Sequence, residues 1–334
     1  MSEARLLSLV EQLSKGFTTA RDDLKAYGLS SEQVSAYAYF YFPTNVPALA
    51  YVLDRLPATI REKLKLSTLI DWGTGPGTYL IAWSRYFSQT GHQLIGIDQS
   101  PLMLQQAQLL WASFGTPGHT ARFERPDHNF SSTNITLCFG NSMNEMGWEK
   151  ALEVIQKVMP NFIIFIEPGT QAVFKEMLNL RGELASLGWK NYFPCPDSSH
   201  SCPMDQASSS DWCHQIMLTT HDPSIERLSQ KLHLDRRTRP LLAHVYGKEQ
   251  IISNHGVTEI RVVRSFPPTK ASYRFTGCRK EADQLENVEI EFLMRDTDST
   301  MRKKLDKIRS GDLLRFEVKE QMTPQKYRAK KLIE

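Results

Sequence analysis

The sequence predicts an α/β fold: a Rossmann-like sheet, a helical region before it and a smaller β-rich extension after it. Three observations carry this. From Leu66 onward, short apolar runs bounded by turn residues alternate with helix-period segments, the texture of parallel strands joined by crossover helices. The first run leads directly into a glycine-rich turn, Gly73-Thr74-Gly75-Pro76-Gly77. Beyond Val257 the pattern changes to period-two alternation, as in Glu259-Ile260-Arg261-Val262-Val263-Arg264. The expected divisions are 1–65, helical; 66–256, the Rossmann-like domain with a cysteine-bearing loop at 193–214; and 257–334, a basic β extension.

Leu6, Leu7, Val10 and Leu13 recur at helical spacing, and Ser30-Ser31-Glu32-Gln33 has the side chains of a capping box for a further helix. The aromatics from Tyr37 to Phe42 stop at Pro43, so Thr44 or Asn45 is expected to cap a new helix from Val46 to Leu56. That aromatic cluster is expected to pack against the next domain, or alternatively to lid a cofactor pocket. Strands are expected at Thr68–Trp72, Gln93–Asp98, Asn134–Phe139 and Asn161–Ile166. Helices are expected at Tyr79–Phe87, Pro101–Phe114, Trp148–Val158 and Gln171–Leu187. Gln215–Leu218 and Leu241–Tyr246 read as late strands of the same sheet. Ser272–Phe275 and Val288–Leu293 join 259–264 in a small antiparallel extension with one wet face.

No run of eighteen apolar residues occurs, so no membrane span is expected. The start, Met1-Ser2-Glu3-Ala4-Arg5, lacks the order of a secretory signal. A cytoplasmic protein, monomeric and in a reducing milieu, is the expectation, and there a cysteine group is metal-binding or catalytic rather than disulfide-bonded. The net charge of +3 hides an asymmetry, with residues 1–234 at about −4 and residues 235–334 at about +7. Arg236-Arg237-Thr238-Arg239, the stretch from Arg261 to Lys280, and the tail from Lys326 to Lys331 supply the excess. RNA is the anionic partner this pattern suits, met by Arg261, Arg264 and Lys270; a solvated basic tail is the alternative.

Asp71-Trp72-Gly73-Thr74-Gly75-Pro76-Gly77 follows a strand and opens a helix. Glycines there let the backbone approach a ligand, and the helix start offers free N–H groups. A dinucleotide fingerprint requires glycine at position 78, where Thr78 stands. The tighter form, with an acid two residues before the first glycine, resembles motif I of class I S-adenosylmethionine methyltransferases. Asp98, closing the next strand, is placed to accept hydrogen bonds from ribose hydroxyls; alone it suits NAD equally, and the pair favours S-adenosylmethionine. The expected cofactor set is Asp71, Gly73, Thr74, Gly75, Pro76, Gly77 and Asp98, with Asp71 near the cationic methionine end. Asn141 and Ser142, after the next strand, line the pocket near the adenine or the transferred methyl. A tight structural turn is the alternative for the glycines, and no catalytic residue is assigned.

Cys195, Cys202 and Cys213 fall in a loop rich in Pro, Ser and Asp, spaced C-x6-C-x10-C, with Cys278 far downstream. No C-x2-C knuckle of a zinc ribbon and no radical-enzyme C-x3-C-x2-C run is present. Four soft thiols suit an iron–sulfur cluster, zinc with His200 or His214 as substitute ligands, or no metal at all, and spacing leaves these open. Cys138, inside an apolar run, is expected to be a buried small hydrophobe.

Further marks are Phe42-Pro43-Thr44, Ile166-Glu167-Pro168-Gly169-Thr170, Pro194-Cys195-Pro196 with Cys202-Pro203, and Asp211-Trp212-Cys213-His214. The last is Arg261-Val262-Val263-Arg264 leading through Pro267-Pro268 to Cys278. In this order, from about Tyr37 to Arg315, the chain resembles the methyltransferase-like proteins associated with the small ribosomal subunit, whose mitochondrial members support mitoribosome assembly. The resemblance implies a class I methyltransferase-like fold, S-adenosylmethionine binding, and a four-iron–four-sulfur cluster on Cys195, Cys202, Cys213 and Cys278. It implies ribosomal RNA of the small subunit as partner, through methyl transfer or through assembly with little or no turnover. Two departures stand out: Ser272-Tyr273-Arg274-Phe275 replaces a Gly-His-Val-like segment, and Gly140-Asn141-Ser142-Met143-Asn144-Glu145 holds no Asn-Pro-Pro-Tyr-type amino-methylation motif.

Overall fold

The computed structural model describes residues 1–18, 30–89, 91–126, 134–196, 201–205, 212–249, 258–281 and 284–333. His200, Asp211 and the expected boundary at 256–257 lie outside the described residues. The chain divides into two compact units, one of Met1–Pro168 with Met217–Arg239, the other of Gly169–Ile216 with Pro240–Glu334.

Among the described residues the first unit begins with four helices: α1 (Glu3–Thr18), α2 (Ser31–Asn45), α3 (Pro47–Leu53) and α4 (Ala58–Lys65). Ser30 and Gln33 form the expected capping box, side chain to backbone in both directions. Pro43 does not stop α2, which runs on to Asn45, and Thr44 and Asn45 are not caps. The proline ring is tolerated near the end of a helix whose last turn is held from outside. Arg239 donates to the Thr44 carbonyl at 2.8 Å and to Asn45 Oδ1 at 2.6 Å, and Arg236 donates to Thr44 Oγ1 at 3.2 Å.

Next come β1 (Thr68–Trp72), α5 (Thr78–Tyr86), β2 (Gln93–Ile97), α6 (Pro101–Phe114), β3 (Thr120–Glu124), β4 (Ile135–Gly140), α7 (Met143–Met146), α8 (Trp148–Val158) and β5 (Phe162–Pro168). The strands are parallel in the order β3-β2-β1-β4-β5. Leu69, Ile70, Leu94, Ile97, Leu137, Phe139 and the run Ile163–Ile166 are buried, which is why these strands read as unbroken apolar segments. β3 is a strand the apolar pattern does not predict, because Thr-Ala-Arg-Phe-Glu is a polar edge strand. The order reverses between β1 and β4, so the segments leaving these two strands meet at the topological switch point.

The remaining elements are α9 (Gln171–Ser186), β6 (Lys190–Phe193), β7 (Gln215–Leu218), α10 (Pro223–Lys231), β8 (Thr238–Gly247), β9 (Thr258–Ser265), β10 (Ser272–Glu281), β11 (Gln284–Leu293), α11 (Ser299–Leu305), β12 (Leu313–Thr323) and β13 (Lys326–Leu332). α10, capped by Asp222, buries Ile225 and Leu228 with Leu9, Val10, Phe40 and Tyr41 in the first unit. In the second unit β6 pairs antiparallel with β8.

The expected antiparallel extension is a closed five-stranded barrel, ordered β10-β11-β13-β12-β9. β9, β10 and β11 form a meander, α11 intervenes, and β13 returns parallel to β11. β12 then pairs with both β13 and β9. This connectivity is the Greek-key closure of an OB-fold. Its core is Ile260, Val262, Tyr273, Phe275, Val288, Ile290, Phe292, Leu314, Phe316 and Tyr327. The tail that reads as basic from Lys326 onward is therefore a barrel strand. Lys326 pairs with Glu289 at 2.8 Å, Arg328 with Glu291 at 3.4 Å, and Lys330 and Lys331 with Glu317 at 3.2 and 3.1 Å.

Candidate functional site

At the switch point of the first unit, the chain leaves β1 through three glycines that all take positive φ: Gly73 at 75°, Gly75 at 52° and Gly77 at 81°. At Gly73 a Cβ would also stand 2.5 Å from Ser142 Cβ, so the turn lies flat against the segment after β4. Thr74 Oγ1 donates to Asp71 Oδ2 at 2.7 Å, and the Gly75 N–H donates to Asp98 Oδ2 at 2.8 Å. Asp98 also accepts from the Ser100 N–H at 2.8 Å, so it joins the turn to the start of α6.

The segment after β4 is held as firmly. Asn141 has φ 59°, Ser142 Oγ donates to the Trp72 carbonyl at 2.5 Å, and Asn141 Nδ2 donates to Tyr79 Oη at 3.3 Å. Glu167, fully buried near the end of β5, accepts from the Ser142 N–H at 3.2 Å, the Met143 N–H at 2.9 Å and the Asn144 N–H at 3.4 Å. It thus takes the place of a side-chain cap for α7. In the sequence Glu167 stands out only as a strand-end residue. An acid closing the apolar run Phe162–Ile166 is the signal that gives it a role, because a buried carboxyl requires donors.

Burial raises the carboxyls of this site. Asp71 is pushed up to about 7, against the hydrogen bond from Thr74 and helped by the nearby Asp98. Its Oδ1 is buried without a hydrogen-bond partner. Asp98 is raised by burial, opposed by the N–H groups of Ser100, Gly75 and Gln99. Glu167 is raised well above the carboxylate range by burial, opposed by its three backbone donors. Tyr79, on the first turn of α5, is held well above the usual phenol range by burial, and the Arg239 guanidinium counters this. Every residue of the expected cofactor set therefore converges here: Asp71, the Gly73–Gly77 turn, Asp98, Asn141 and Ser142.

The thiols belong to the second unit. Cys195, Cys202 and Cys213 are half-buried, and Cys278 on β10 is buried. Burial raises the Cys202 thiol to about 11, with Cys195 adding to the effect. Cys213 is raised well above the thiol range by burial and then by Cys278, Cys195 and Cys202; Cys278 is raised by burial and then by Cys202 and Cys195. The four are thus electrostatic neighbours, with the Arg181 guanidinium beside Cys195 and Cys202. Among the described residues, however, no group of three or more His, Cys, Asp or Glu side chains is placed to hold a metal ion. His214 Nδ1 lies 3.1 Å from the Trp212 carbonyl. Cys138 is fully buried on β4, as expected.

Of the cations expected to meet RNA, Arg261 is turned to the cysteine loop. It donates to the Pro194 carbonyl at 3.0 Å and the Gly311 carbonyl at 3.1 Å, and stacks over Phe193 at 5.2 Å. Arg264 and Lys270 are exposed.

A parallel β3-β2-β1-β4-β5 sheet, a glycine turn after β1 and an acid after β2 define a class I methyltransferase-like fold. The chain belongs to the family described as mitochondrial small ribosomal subunit Rsm22, whose model matches residues 31–269. No curated protein matches it. Among solved structures it is similar to a SAM-dependent methyltransferase from Geobacter sulfurreducens in complex with S-adenosyl-L-homocysteine: 15% identity, 62% of this chain and 97% of that one, TM-score 0.32. A second, from Thiobacillus denitrificans in the same complex, has 17% identity over 57% and 89% of the chains and a TM-score of 0.30. A precorrin-6y C5,15-methyltransferase from Geobacter metallireducens has 11% identity over 56% and 85%, with a TM-score of 0.35. The fold assignment rests on strand order and the glycine turn rather than on these likenesses. Among the described residues no helix is long and apolar enough to cross a membrane.

Proposed function

We propose that the first unit binds S-adenosylmethionine at the switch point and that the protein works on RNA of the small ribosomal subunit as an RNA methyltransferase. The observation that carries the cofactor is the buried Asp71 carboxyl, one oxygen held by Thr74 and the other without a partner, beneath a turn of three positive-φ glycines. An ammonium or sulfonium is what such an oxygen accepts. Asp98 accepts ribose hydroxyls once its hold on Gly75 loosens, and Asn141 and Ser142 border the methyl group. When bound, S-adenosylmethionine supplies an electrophilic methyl on a sulfonium. The protein's part is to orient the acceptor in line with it and to exclude water.

The RNA and small-subunit parts of the reading follow from family membership and from the cationic second half of the chain. A second reading, an assembly factor with little or no turnover, is favoured by one arrangement. Glu167 is committed to three backbone N–H groups and Asn141 to Tyr79, so both act here as scaffold.

From the thiol chemistry and not from an assembled ligand set, we propose a structural iron–sulfur cluster on the four cysteines, with zinc as the alternative. The donor set is all thiol, Cys202, Cys213 and Cys278 are each raised by burial and then by other thiols of the group, and the Arg181 guanidinium stands by to stabilise thiolates. A cluster there would pin the 193–214 loop to β10 and take no part in methyl transfer.

The test is calorimetric titration with S-adenosylmethionine, followed by transfer of tritiated methyl to protein-free small-subunit RNA. Micromolar binding that is lost in Asp98→Ala supports the cofactor site; no heat of binding in the wild type removes it. Binding without methyl incorporation selects the assembly reading.

A further inference from the structure

The barrel contains a group that the methyltransferase site does not use. At the β9–β10 turn, the Phe266 ring has Arg264 over it at 5.8 Å and Arg274 at 5.3 Å. The turn is ordered from within. Thr269 Oγ1 accepts from the Ala271 and Ser272 N–H groups at 3.2 and 3.0 Å, the Thr269 N–H donates to the Ser272 carbonyl at 3.0 Å, and the Phe266 N–H donates to the Arg274 carbonyl at 3.0 Å. Pro267 and Pro268 stiffen its outer limb, and Lys270 stands exposed at its tip. The ring is thus held half-buried beside two planar cations.

Charge balance points the same way. Arg274 lies opposite Glu291 in the β10–β11 register, but Glu291 is taken by Arg328 and its neighbour Glu289 by Lys326. Among the described residues neither Arg274 nor Lys270 has a carboxylate partner. The β13 cations are paired with carboxylates within the barrel, while Arg274 and Lys270 are not. In an OB-type barrel, the face of the second and third strands and the turn joining the first two are where oligonucleotides bind.

We propose that Phe266, flanked by Arg264 and Arg274 and extended by Lys270, is a stacking platform for single-stranded RNA. A base lies against the aromatic–guanidinium layer, and Lys270 and Arg274 meet the adjoining phosphates. The inference rests on the RNA part of the reading above and gives it a place outside the methyltransferase-like unit. It leaves the cofactor aside.

Fluorescence anisotropy of the full chain with a labelled single-stranded RNA of roughly 12 nucleotides tests it. Phe266→Ala is expected to weaken binding about tenfold, and Phe266→Tyr to restore it. Arg274→Gln is expected to weaken binding and to lower the slope of log affinity against log salt by about 0.7. Unchanged affinity in both Phe266→Ala and Arg274→Gln overturns the platform, as does equal or tighter binding of the corresponding duplex. S-adenosylmethionine affinity is measured on the same samples. Its absence with the Phe266 effect intact strikes the methyltransferase reading alone, and unchanged RNA affinity in the variants strikes the platform alone.

Discussion

If S-adenosylmethionine binds at the switch point as proposed, Asp71 should make its affinity a function of pH. Its carboxyl sits near 7 because burial disfavours the charge and a single hydroxyl, Thr74, compensates. A cationic ligand prefers the ionised form, so binding S-adenosylmethionine draws the proton off. Affinity therefore rises with pH through about 7 and levels above it. At one pH unit below the midpoint roughly a tenth of the protein is ionised, and at one unit above roughly nine tenths. Affinity at pH 6 should be about tenfold weaker than at pH 8, or ~1.4 kcal/mol. Titration calorimetry at both values, in buffers of different ionisation heat, reads the affinity and the proton released. Asp71→Asn should bind more weakly at pH 8 and lose the dependence. Equal wild-type affinity at pH 6 and pH 8, with no proton release, would refute the reasoning. The same carboxyl bears on folding with the opposite sign. Its folded value is raised, so its contribution is greatest below the ordinary carboxylate range, falls between about 4 and 7, and is flat above.

Gly73→Ala should destabilise the first unit by about 2–4 kcal/mol, from the left-handed backbone and the collision with Ser142; urea midpoints check this, and a loss below about 0.5 kcal/mol would contradict the packing described. Arg239→Met should cost about 1–3 kcal/mol, because it removes the donor to the buried Thr44 carbonyl and leaves the Asn45 amide oxygen only the longer contact from Arg236, and an unchanged midpoint would show that the end of α2 holds itself. Protein purified without oxygen should be brown and contain iron, and Cys213→Ser should lose both; equal iron in the two proteins, or none in the wild type, would sink the cluster.

The sheet was legible because its strands are buried on both faces and thus stand out as apolar runs, and because a glycine turn marks where the first strand gives way to a helix. Asp71, Asp98, Asn141 and Ser142 come together as expected from their positions after β1, β2 and β4. Polar elements were harder. β3 is an edge strand, and β12 and β13 carry Lys, Arg and Glu whose ladder partners are invisible until the barrel closes. The run of cations at the end resembled a solvated tail for that reason. Thr44 and Asn45 look like caps locally, and only the return of the chain nearly two hundred residues later supplies the arginines that occupy them. Arg261 likewise reads as a surface cation until Pro194 and Gly311 are brought to it.

The position of β13 has a consequence for synthesis. It lies between β11 and β12, hydrogen-bonded to both, although it follows them in the chain. Until Lys326–Leu332 has been translated and inserted, the other four strands form a curved sheet with two open edges and an apolar inner face. Barrel closure is therefore a late, long-range event. A ribosome stalled before residue 326, or a protease that clips this strand, would leave a sticky four-stranded open sheet for chaperones to hold, not a shorter but serviceable domain.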